Sequence, residues 1–345
     1  MTTRAQPEAG APELVIVGAG PVGLFAAYYA GFRGLRWLIL ESLPFVGGQI
    51  ATFYAQSAIY DVPGFPEVRG DELLQRLEAQ ARSFAGEIRL GTRVTGYERT
   101  KGGIRIAWSR ENEECEPEPI EVPAILLTTG IGRFAPQPMP DPQIQSWNGK
   151  GLTYHLDDPT RLSGRRALVA GGTQRGVEIA LALAEAGAET TLIHRRDRLA
   201  IPQDLRDRFD ASAVSFRPHR ELAAIEGSAT VERAILSDRR DGTSETVEVD
   251  AIIPCFGFAA HRDDLAGRGT TAVDGAITVD STMAAAPGVW AAGDAASYPG
   301  KVRVLAADFG EACTAVNNLT SALVPDAPVF PGYSSHRAGA ARRPE

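Results

Sequence analysis

Three glycines near the start of the chain are the first residues whose type and spacing indicate a chemical role. Gly18, Gly20 and Gly23 follow a predicted short buried strand at 13–17 and precede a stretch of small apolar residues. In a strand–turn–helix unit the first glycine permits a tight turn, the second lets the backbone approach a pyrophosphate, and the third lets the helix lie close to the strand. Pro21, which has no N–H of its own, stands at the start of the helix, and the unpaired amides that follow it then face the phosphates. The spacing therefore predicts a dinucleotide-binding βαβ unit.

An acidic residue supports this interpretation. Glu41 directly follows the next predicted strand, 37–40. A carboxylate at this place can accept hydrogen bonds from an adenosine ribose, and it repels a 2'-phosphate. The first site is therefore predicted to bind FAD or NAD, whereas FMN, which has no adenosine, would leave Glu41 unused.

The middle of the chain repeats this unit with different chemistry. The separation in sequence of Gly171 from His194 equals that of Gly18 from Glu41. The second strand end is basic, which suits the 2'-phosphate of NADP(H); a solvated basic strand end without a ligand is the alternative. The residues predicted for this NADPH site are Gly171, Gly172, Thr173, Arg175, His194, Arg195 and Arg196.

One position of the second turn is irregular. Thr173 stands where the first unit has Gly20, and a β-branched side chain there is expected to crowd the phosphates. Arg175 precedes a small-residue helix predicted over 177–186, and it could partly compensate by reaching the pyrophosphate. The second site is therefore expected to bind NADPH more weakly than an all-glycine turn would.

Length and composition limit the remaining possibilities. A chain of 345 residues suggests two domains, and a net charge of −8 disfavours nucleic acid as a partner. No run approaches the roughly 20 apolar residues of a membrane span. Residues 1–12 have the composition of a flexible tail and not of a secretory signal. The three cysteines form no C-x-x-C pair and have no metal-ligand spacing, so we expect no metal site and a reducing cytoplasm as the compartment.

A third motif lies near the carboxyl terminus. The run 289–294 predicts a short buried strand that ends in Gly293-Asp294, and Phe309 to Thr314 predicts the start of another helix. Together they resemble the second FAD-contact motif of the flavoprotein reductases, which implies that this helix directs its N-terminus at the flavin. The partial positive charge at the N-terminus of the helix would favour the anionic reduced form of the flavin.

These segments together resemble the thioredoxin-reductase-like ferredoxin–NADP(+) reductases of bacteria over nearly the whole chain. The resemblance implies an α/β fold of two Rossmann-like, doubly wound domains in a homodimeric FAD enzyme that passes electrons between NADPH and ferredoxin or flavodoxin. It implies an FAD domain at 13–134 and 257–345, with an NAD(P)H-binding-like domain at 135–256 between two hinge strands. The stretches that carry it are Glu41–Pro44 with Gly47–Gln49, Ile59–Pro66, Thr128–Gly132, His194–Asp197, Ala291–Asp294 with Gly300–Val302, and Phe309–Asn318.

The resemblance also implies which residues contact FAD. Tyr54 would stack on one face of the flavin, and Tyr333 of the partner subunit would cover the other. A half-buried packing tyrosine and a disordered tail are the respective alternatives. No side chain is expected to do acid–base or nucleophilic catalysis. The implied FAD set is Gly18, Gly20, Pro21, Gly23, Glu41, Gly48, Gln49, Tyr54, Asp61, Thr129, Gly130, Asp294, Gly310, Glu311, Ala312 and Tyr333.

The chain departs from these families at several positions. The stretch 151–158 has no cysteine where thioredoxin reductases carry C-x-x-C, and a lone thiol cannot relay two electrons as an intramolecular disulfide. Besides Thr173, Ala200 replaces an arginine expected at the 2'-phosphate. Three interpretations follow: a working NAD(P)H-dependent reductase, a flavoprotein of the same fold with another electron donor, and a non-catalytic FAD-binding module.

Overall fold

The computed structural model describes residues 10–55, 57–110, 117–136, 139, 141–154, 156, 158–261, 272–273, 275–333 and 335. The chain divides into two compact units, one formed by Met1–Arg133 and His261–Glu345 and the other by Phe134–Ala260. Residues 1–9 of the predicted tail, Cys115 and residues 336–345 lie outside the described residues. Ala11 is a described residue of the predicted tail, and its carbonyl accepts a hydrogen bond from Arg36 Nε at 2.8 Å.

The first unit contains a six-stranded sheet with the order β21-β22-β9-β1-β2-β5, in which β21 alone is antiparallel to its neighbour. The strands β1, β2 and β9 are buried along their whole length, as expected of parallel strands covered on both faces. Helix α1 packs against α3 and α7. The bounds of this unit's elements are β1 Leu14–Val17, α1 Pro21–Phe32, β2 Trp37–Leu40, α2 Gly48–Phe53, β3 Ala58–Ile59, β4 Val68–Arg69, α3 Gly70–Arg82, β5 Gly86–Arg89, β6 Thr92–Arg99, β7 Ile104–Arg110, β8 Ile120–Val122, β9 Ala124–Leu127, β19 Ala272–Val273, β20 Ala276–Thr278, β21 Ala284–Ala286, β22 Val289–Ala291, β23 Ala296–Ser297 and α7 Leu305–Leu323.

The second unit has a parallel sheet with the order β13-β12-β11-β17 and an antiparallel sheet β14-β15-β16. Helices α5 and α6 pack against each other, and Leu181, Leu205 and Phe209 belong to one buried cluster. The strands β10 and β18 pair with each other where the chain enters and leaves this unit. The bounds are β10 Arg133–Pro136, α4 Pro142–Gln145, β11 Arg166–Ala170, α5 Gln174–Glu185, β12 Glu189–His194, α6 Gln203–Asp210, β13 Ser215–Pro218, β14 Arg220–Gly227, β15 Val231–Asp238, β16 Ser244–Glu248, β17 Ala251–Pro254 and β18 Phe258–His261.

The predicted α/β class with parallel sheets is confirmed, and the strands at 37–40 and 166–170 have the predicted bounds. The predicted start of the last helix at Phe309 is wrong. Helix α7 begins at Leu305, whose amide donates to Asp61 Oδ2 at 3.1 Å, so the helix has a cap that is distant in sequence. The predicted strand 289–294 ends at Ala291, since Gly293 has a φ of 73° and begins a 3₁₀ turn.

None of the helices within the described ranges has both the length and the apolar character needed to cross a membrane.

Candidate functional site

The first glycine turn closes tightly on its own strand and helix. A Cβ added to Gly23 would lie 1.9 Å from the carbonyl oxygen of Gly18, so the start of α1 tolerates no side chain there. Gly18 has a φ of 105°, which favours glycine. The hydroxyl of Thr128 donates to the carbonyls of Val17 and Gly18 at 3.0 and 3.1 Å. Thr128, which was absent from the predicted set, thus holds the turn against β9; its position directly after a buried strand was the available signal.

Gly20 has a different reason to be glycine. Its φ of −68° and ψ of 179° are accessible to any residue, and an added Cβ would meet no atom within 4 Å. Gly20 is the N-cap of α1 but provides no side-chain cap. The helix therefore begins with uncapped amides beside open space, which is the arrangement that binds a pyrophosphate.

Glu41 closes the same turn from the end of β2. Its side chain is buried, and it accepts hydrogen bonds from the amides of Ala19 at 2.6 Å and Leu43 at 2.8 Å. Burial raises the pKa of this carboxyl above its usual value, although hydrogen bonds from Leu43, Ala19 and Ser42 act in the opposite direction. A carboxylate has lone pairs beyond those two amide contacts, so Glu41 can position the turn and still accept a hydrogen bond from a ligand hydroxyl.

Three predicted motifs distant in sequence meet beside this turn. A Cβ added to Gly48 would lie 3.2 Å from the Cα of Gly20. The side-chain Nε2 of Gln49 donates to Asp294 Oδ2 at 3.4 Å, and the same atom lies 3.1 Å from where a Cβ of Gly130 would be. The segments that follow β9 and β22 are thereby brought to α2 at the carboxyl edge of the parallel sheet, where α/β proteins bind ligands.

Other members of the predicted FAD set have structural contacts of their own. Asp61 caps α7, and the carbonyl of Thr129 accepts from the amide of Gly132 at 2.9 Å. Because α7 begins at Leu305, Gly310, Glu311 and Ala312 lie inside the helix and not at its N-terminus.

Glu311 belongs to a buried polar network that sequence reasoning did not identify. Its carboxylate accepts from the amide of Gly293 at 2.8 Å, from the hydroxyl of Tyr298 at 2.6 Å and from Lys301 Nζ at 2.5 Å. Lys301 also binds Asp308 at 2.8 Å, and the side chains of Lys301, Asp308 and Glu311 are less than a tenth exposed. Two acids three residues apart on α7, after an isolated lysine, were the available signal.

Charge and burial perturb this network. Burial raises the pKa of Asp308, against the opposing effect of Lys301. Burial and the hydrogen bond to Glu311 raise the pKa of Tyr298 to about 12. The network joins the Gly293–Ala295 turn to the first turns of α7, and therefore fixes the place of Asp294 beside Gln49.

Both predicted stacking residues have exposed rings. Tyr54, at the end of α2, is 48% exposed, and Tyr333 is 67% exposed. Tyr54 lies edge-on to Phe53 with ring centroids 6.1 Å apart, and Tyr333 lies edge-on to Phe330 at 5.5 Å. Neither ring is committed to a core, and their stacking on a flavin stays a prediction.

The second unit repeats the geometry of the first turn. The amide of Gly172 donates to His194 Nδ1 at 3.1 Å, just as the amide of Ala19 donates to Glu41. A Cβ added to Gly176 would lie 2.2 Å from the carbonyl oxygen of Gly171. Burial, and then the charges of Arg195 and Arg196, lower the pKa of His194. His194 is therefore neutral at pH 7, as its role as a hydrogen-bond acceptor requires.

Thr173 distinguishes the second turn from the first. Its hydroxyl accepts a hydrogen bond from the amide of Gly176 at 3.1 Å and donates to the carbonyl of Cys255 at 3.2 Å. Thr173 is thus the N-cap of α5, which begins at Gln174, three residues before the predicted start at 177. An amide that the first helix leaves uncapped is therefore already satisfied in the second.

The remaining residues of the second site lie around this turn. Arg175 is in the first turn of α5, where its charge acts on the thiol of Cys255. Arg195 and Arg196 are exposed at the end of β12, and Ala200 is also exposed. The structure thus places basic side chains at the end of the second strand, where the first unit has a buried acid.

The described cysteines are poor nucleophiles. Burial raises the pKa of the Cys255 thiol to about 12 and that of Cys313 to about 11. Both are free thiols. Within the described part of the chain, no three His, Cys, Asp or Glu side chains are grouped so that they could hold a metal ion.

Comparisons with known proteins agree with this geometry. The sequence pattern of the family described as pyridine nucleotide-disulphide oxidoreductase matches residues 12–312. A thioredoxin reductase from T. acidophilum has a similar structure, with a TM-score of 0.69, 25% identity, and coverage of 91% of this chain and 99% of that one. A Lactococcus lactis thioredoxin reductase shares the fold at a TM-score of 0.67 and 23% identity, over 90% of this chain and 98% of that one. The chain therefore belongs to the pyridine nucleotide-disulphide oxidoreductase family.

Within that family, the resemblance inferred from the sequence is confirmed. A protein named ferredoxin–NADP reductase from Saccharopolyspora erythraea is 38% identical over 335 residues, which are 96% of this chain and 99% of the relative. One named ferredoxin–NADP reductase 2 from Chloroherpeton thalassium is 34% identical over 329 residues, 94% of each chain.

Proposed function

We propose that this protein is an FAD-dependent reductase that passes electrons between NADPH and ferredoxin. One observation carries the proposal: the same strand–turn–helix geometry occurs twice, with the buried acid Glu41 at one strand end and His194, Arg195 and Arg196 at the other. An acid suits a ribose hydroxyl and a basic cluster suits a 2'-phosphate, so the two turns select different dinucleotides. The names of the full-length relatives support the same activity.

The first unit fits FAD. Gly20 leaves open space at the uncapped start of α1, and the residues predicted to meet a dinucleotide converge beside it. The pyrophosphate of FAD would lie at this turn, and its adenosine ribose would bind Glu41. Gln49 and Asp294 would bind the rest of the FAD molecule. When bound, FAD supplies the chemistry that accepts a hydride and releases electrons singly, so one NADPH reduces two one-electron acceptors.

The second unit would hold NADPH through the basic end of β12. A neutral His194 keeps Gly172 in place, while Arg195 and Arg196 are free of the core to bind a phosphate. The division into an FAD domain at 13–134 and 257–345 and an NADPH domain at 135–256 is part of this proposal.

Dithiol chemistry is not proposed. The sequence has no C-x-x-C, and the thiols of Cys255 and Cys313 are protonated at neutral pH because burial raises the pKa of both. The fold shared with thioredoxin reductases therefore does not extend to their disulfide exchange.

The partners follow from the same family. We propose that flavodoxin can replace ferredoxin, that the protein is a homodimer in which Tyr333 covers the partner subunit's flavin, and that it works in the cytoplasm. The exposed rings of Phe330 and Tyr333 support an intersubunit role, because exposed aromatic groups mark interaction surfaces.

Anaerobic titration of the oxidised flavin with NADPH tests the proposal. We expect NADPH to bleach the flavin, NADH to do so at much higher concentration, and ferredoxin to reoxidise it. Flavin that stays oxidised with NADPH but is reduced by reduced ferredoxin would favour the second candidate, a flavoprotein with another electron donor. The cap at Thr173 is the observation in favour of that candidate, since it occupies an amide that a pyrophosphate would bind.

A further inference from the structure

A guanidinium on α6 lies against the loop that carries the basic strand end. Arg206 Nη2 donates to the carbonyl oxygen of Leu199 at 3.0 Å, and its Nη1 lies 3.8 Å from Asp210 Oδ1. The side chain is 29% exposed, so it is neither core nor freely solvated. The predicted NADPH set did not include Arg206, because it lies in the next element along the chain.

Leu199 connects this arginine to the nucleotide turn. A Cβ placed on Gly172 would lie 2.5 Å from Leu199 Cδ2 and 2.6 Å from His194 Cγ. Leu199 and His194 therefore pack side by side against the backbone of the turn. Arg206 binds the backbone of that same leucine, so its charge stands next to the loop of Arg195 and Arg196.

The helix that carries Arg206 is held rigidly. Leu205 and Phe209 are buried on one face of α6 in the same cluster as residues of α5, and Phe209 lies edge-on to Phe216 at 5.9 Å. A cation on a packed helix loses less side-chain freedom on binding than one on an exposed loop. An arginine also has several N–H donors in a planar fork, of which the contact with Leu199 uses one.

We propose that Arg206 is a specificity-determining residue that binds the 2'-phosphate of NADPH together with Arg195 and Arg196. The inference rests on the proposed use of NADPH in the second unit. Arg206 contacts the phosphate oxygen with a free N–H while the bond to Leu199 keeps its guanidinium beside the loop. Asp210, at 3.8 Å, limits how far this cation can move away from that position.

The test measures binding of two nucleotides to the FAD-loaded protein by isothermal titration calorimetry. The probes are adenosine 2',5'-bisphosphate and adenosine 5'-monophosphate, which differ by the 2'-phosphate alone. Arg206→Met is expected to weaken binding of the bisphosphate about tenfold, the loss of one charge-assisted hydrogen bond, and to leave the monophosphate within about twofold. The preference for NADPH over NADH in flavin reduction should fall by the same factor.

The matched control is Arg208→Met on the same helix. Arg208 is 61% exposed and pairs with Glu185 at 3.3 Å, so we expect Arg208→Met to leave the binding of both nucleotides unchanged. Equal weakening of both nucleotides by Arg206→Met would mean that the arginine only supports the loop, and no weakening would mean that it does not reach the ligand. A loss with Arg198→Met and none with Arg206→Met would assign the contact to the loop itself. Each of these results overturns the inference.

The failure of the proposed function has a different signature. If the wild-type flavin is reduced by NADPH while Arg206→Met retains full discrimination, the inference fails alone. If the wild type binds neither NADPH nor the bisphosphate, the inference and the use of NADPH fail together. Flavin content and circular dichroism of each variant verify that it is folded.

Discussion

Gly20 and Gly23 belong to one motif but meet different surroundings. Gly20→Ala should fold normally, because its backbone conformation suits alanine and the added Cβ meets no protein atom within 4 Å. The same Cβ would occupy the space assigned to the pyrophosphate, so we expect FAD to bind at least about tenfold more weakly, a loss of about 1.4 kcal/mol. Flavin content after purification and thermal unfolding of the apoprotein measure the two effects separately.

Gly23→Ala provides the opposite case. Its Cβ would lie 1.9 Å from the carbonyl of Gly18, and backbone cannot yield as a flexible side chain does. We expect the apoprotein itself to be destabilised, by about 3 kcal/mol or more. A Gly20→Ala variant as unstable as Gly23→Ala, or one that binds FAD fully, would contradict the assignment of the open space.

At the scale of the element, helix α5 is capped by Thr173 where α1 is uncapped. Thr173→Gly should release the amide of Gly176 for a phosphate and strengthen NADPH binding about tenfold. The cost in stability should be only a few tenths of a kcal/mol, because glycine is a tolerated N-cap. Stopped-flow reduction of the flavin measures the gain.

Thr173→Ser separates two explanations of weak binding. Serine keeps the capping hydroxyl and removes the methyl group. If Thr173→Ser already strengthens NADPH binding, crowding by the methyl group is responsible. If only Thr173→Gly strengthens it, the capping hydroxyl is responsible. No gain with either variant would show that neither the methyl group nor the cap of Thr173 weakens NADPH binding.

The buried side chain of Lys301, which precedes helix α7, pairs with two acids on that helix. Lys301→Met would leave Asp308 and Glu311 together without their cation, and we expect a loss of about 3–5 kcal/mol in the free energy of unfolding at pH 8. Because burial raises the pKa of Asp308, the folded chain binds this proton more tightly than the unfolded chain does. Its contribution favours folding at low pH and is lost as the pH rises through the folded value. The variant should therefore recover stability as the pH falls.

Urea unfolding at pH 8 and pH 5.5 measures this difference. Arg82→Met is the control, since Arg82 forms an exposed pair with Glu78 one helical turn away and should cost little at either pH. A loss for Lys301→Met that is the same at both pH values would mean that packing, and not the unpaired acids, accounts for it.

At the scale of the whole molecule, the C-terminal segment that ends in Tyr333 is the part of the chain that concerns the proposed dimer. Arg33, the C-cap of α1, donates to the carbonyls of Pro328 and Val329, at 2.7 and 3.0 Å, which directs the segment that ends in Tyr333. If the partner subunit's Tyr333 covers the flavin, Tyr333→Ala should raise flavin fluorescence, because a stacked ring quenches it. Diluting the wild type until the dimer dissociates should raise it equally, and dilution should not affect the variant.

Tyr60→Ala is the matched control for that experiment. Tyr60 is 68% exposed, nearly the same as Tyr333, and has no assigned contact with the flavin. Fluorescence that is unchanged in Tyr333→Ala, or that rises equally in Tyr60→Ala, would leave Tyr333 as an ordinary surface residue.

The sequence by itself determined the two βαβ units, the acid and the basic cluster at their strand ends, and the absence of a dithiol. These are local features, because strand, turn and helix follow one another within about 30 residues. The resemblance to ferredoxin–NADP reductases was also readable from short motifs in order.

Only the tertiary structure decided which hydrogen bonds the side chains of the predicted site residues form within the protein. The resemblance implied that Glu311 contacts FAD, which stays a prediction, and the structure shows that its carboxylate accepts hydrogen bonds from Lys301 and from the amide of Gly293. That Thr173 crowds a phosphate stays a prediction from the sequence, and the structure adds that its hydroxyl caps α5. A side chain with several possible hydrogen-bond partners chooses among them only when distant segments are brought together, and burial then makes an unsatisfied group costly. For that reason the folded chain, and not the order of its residues, determined these contacts.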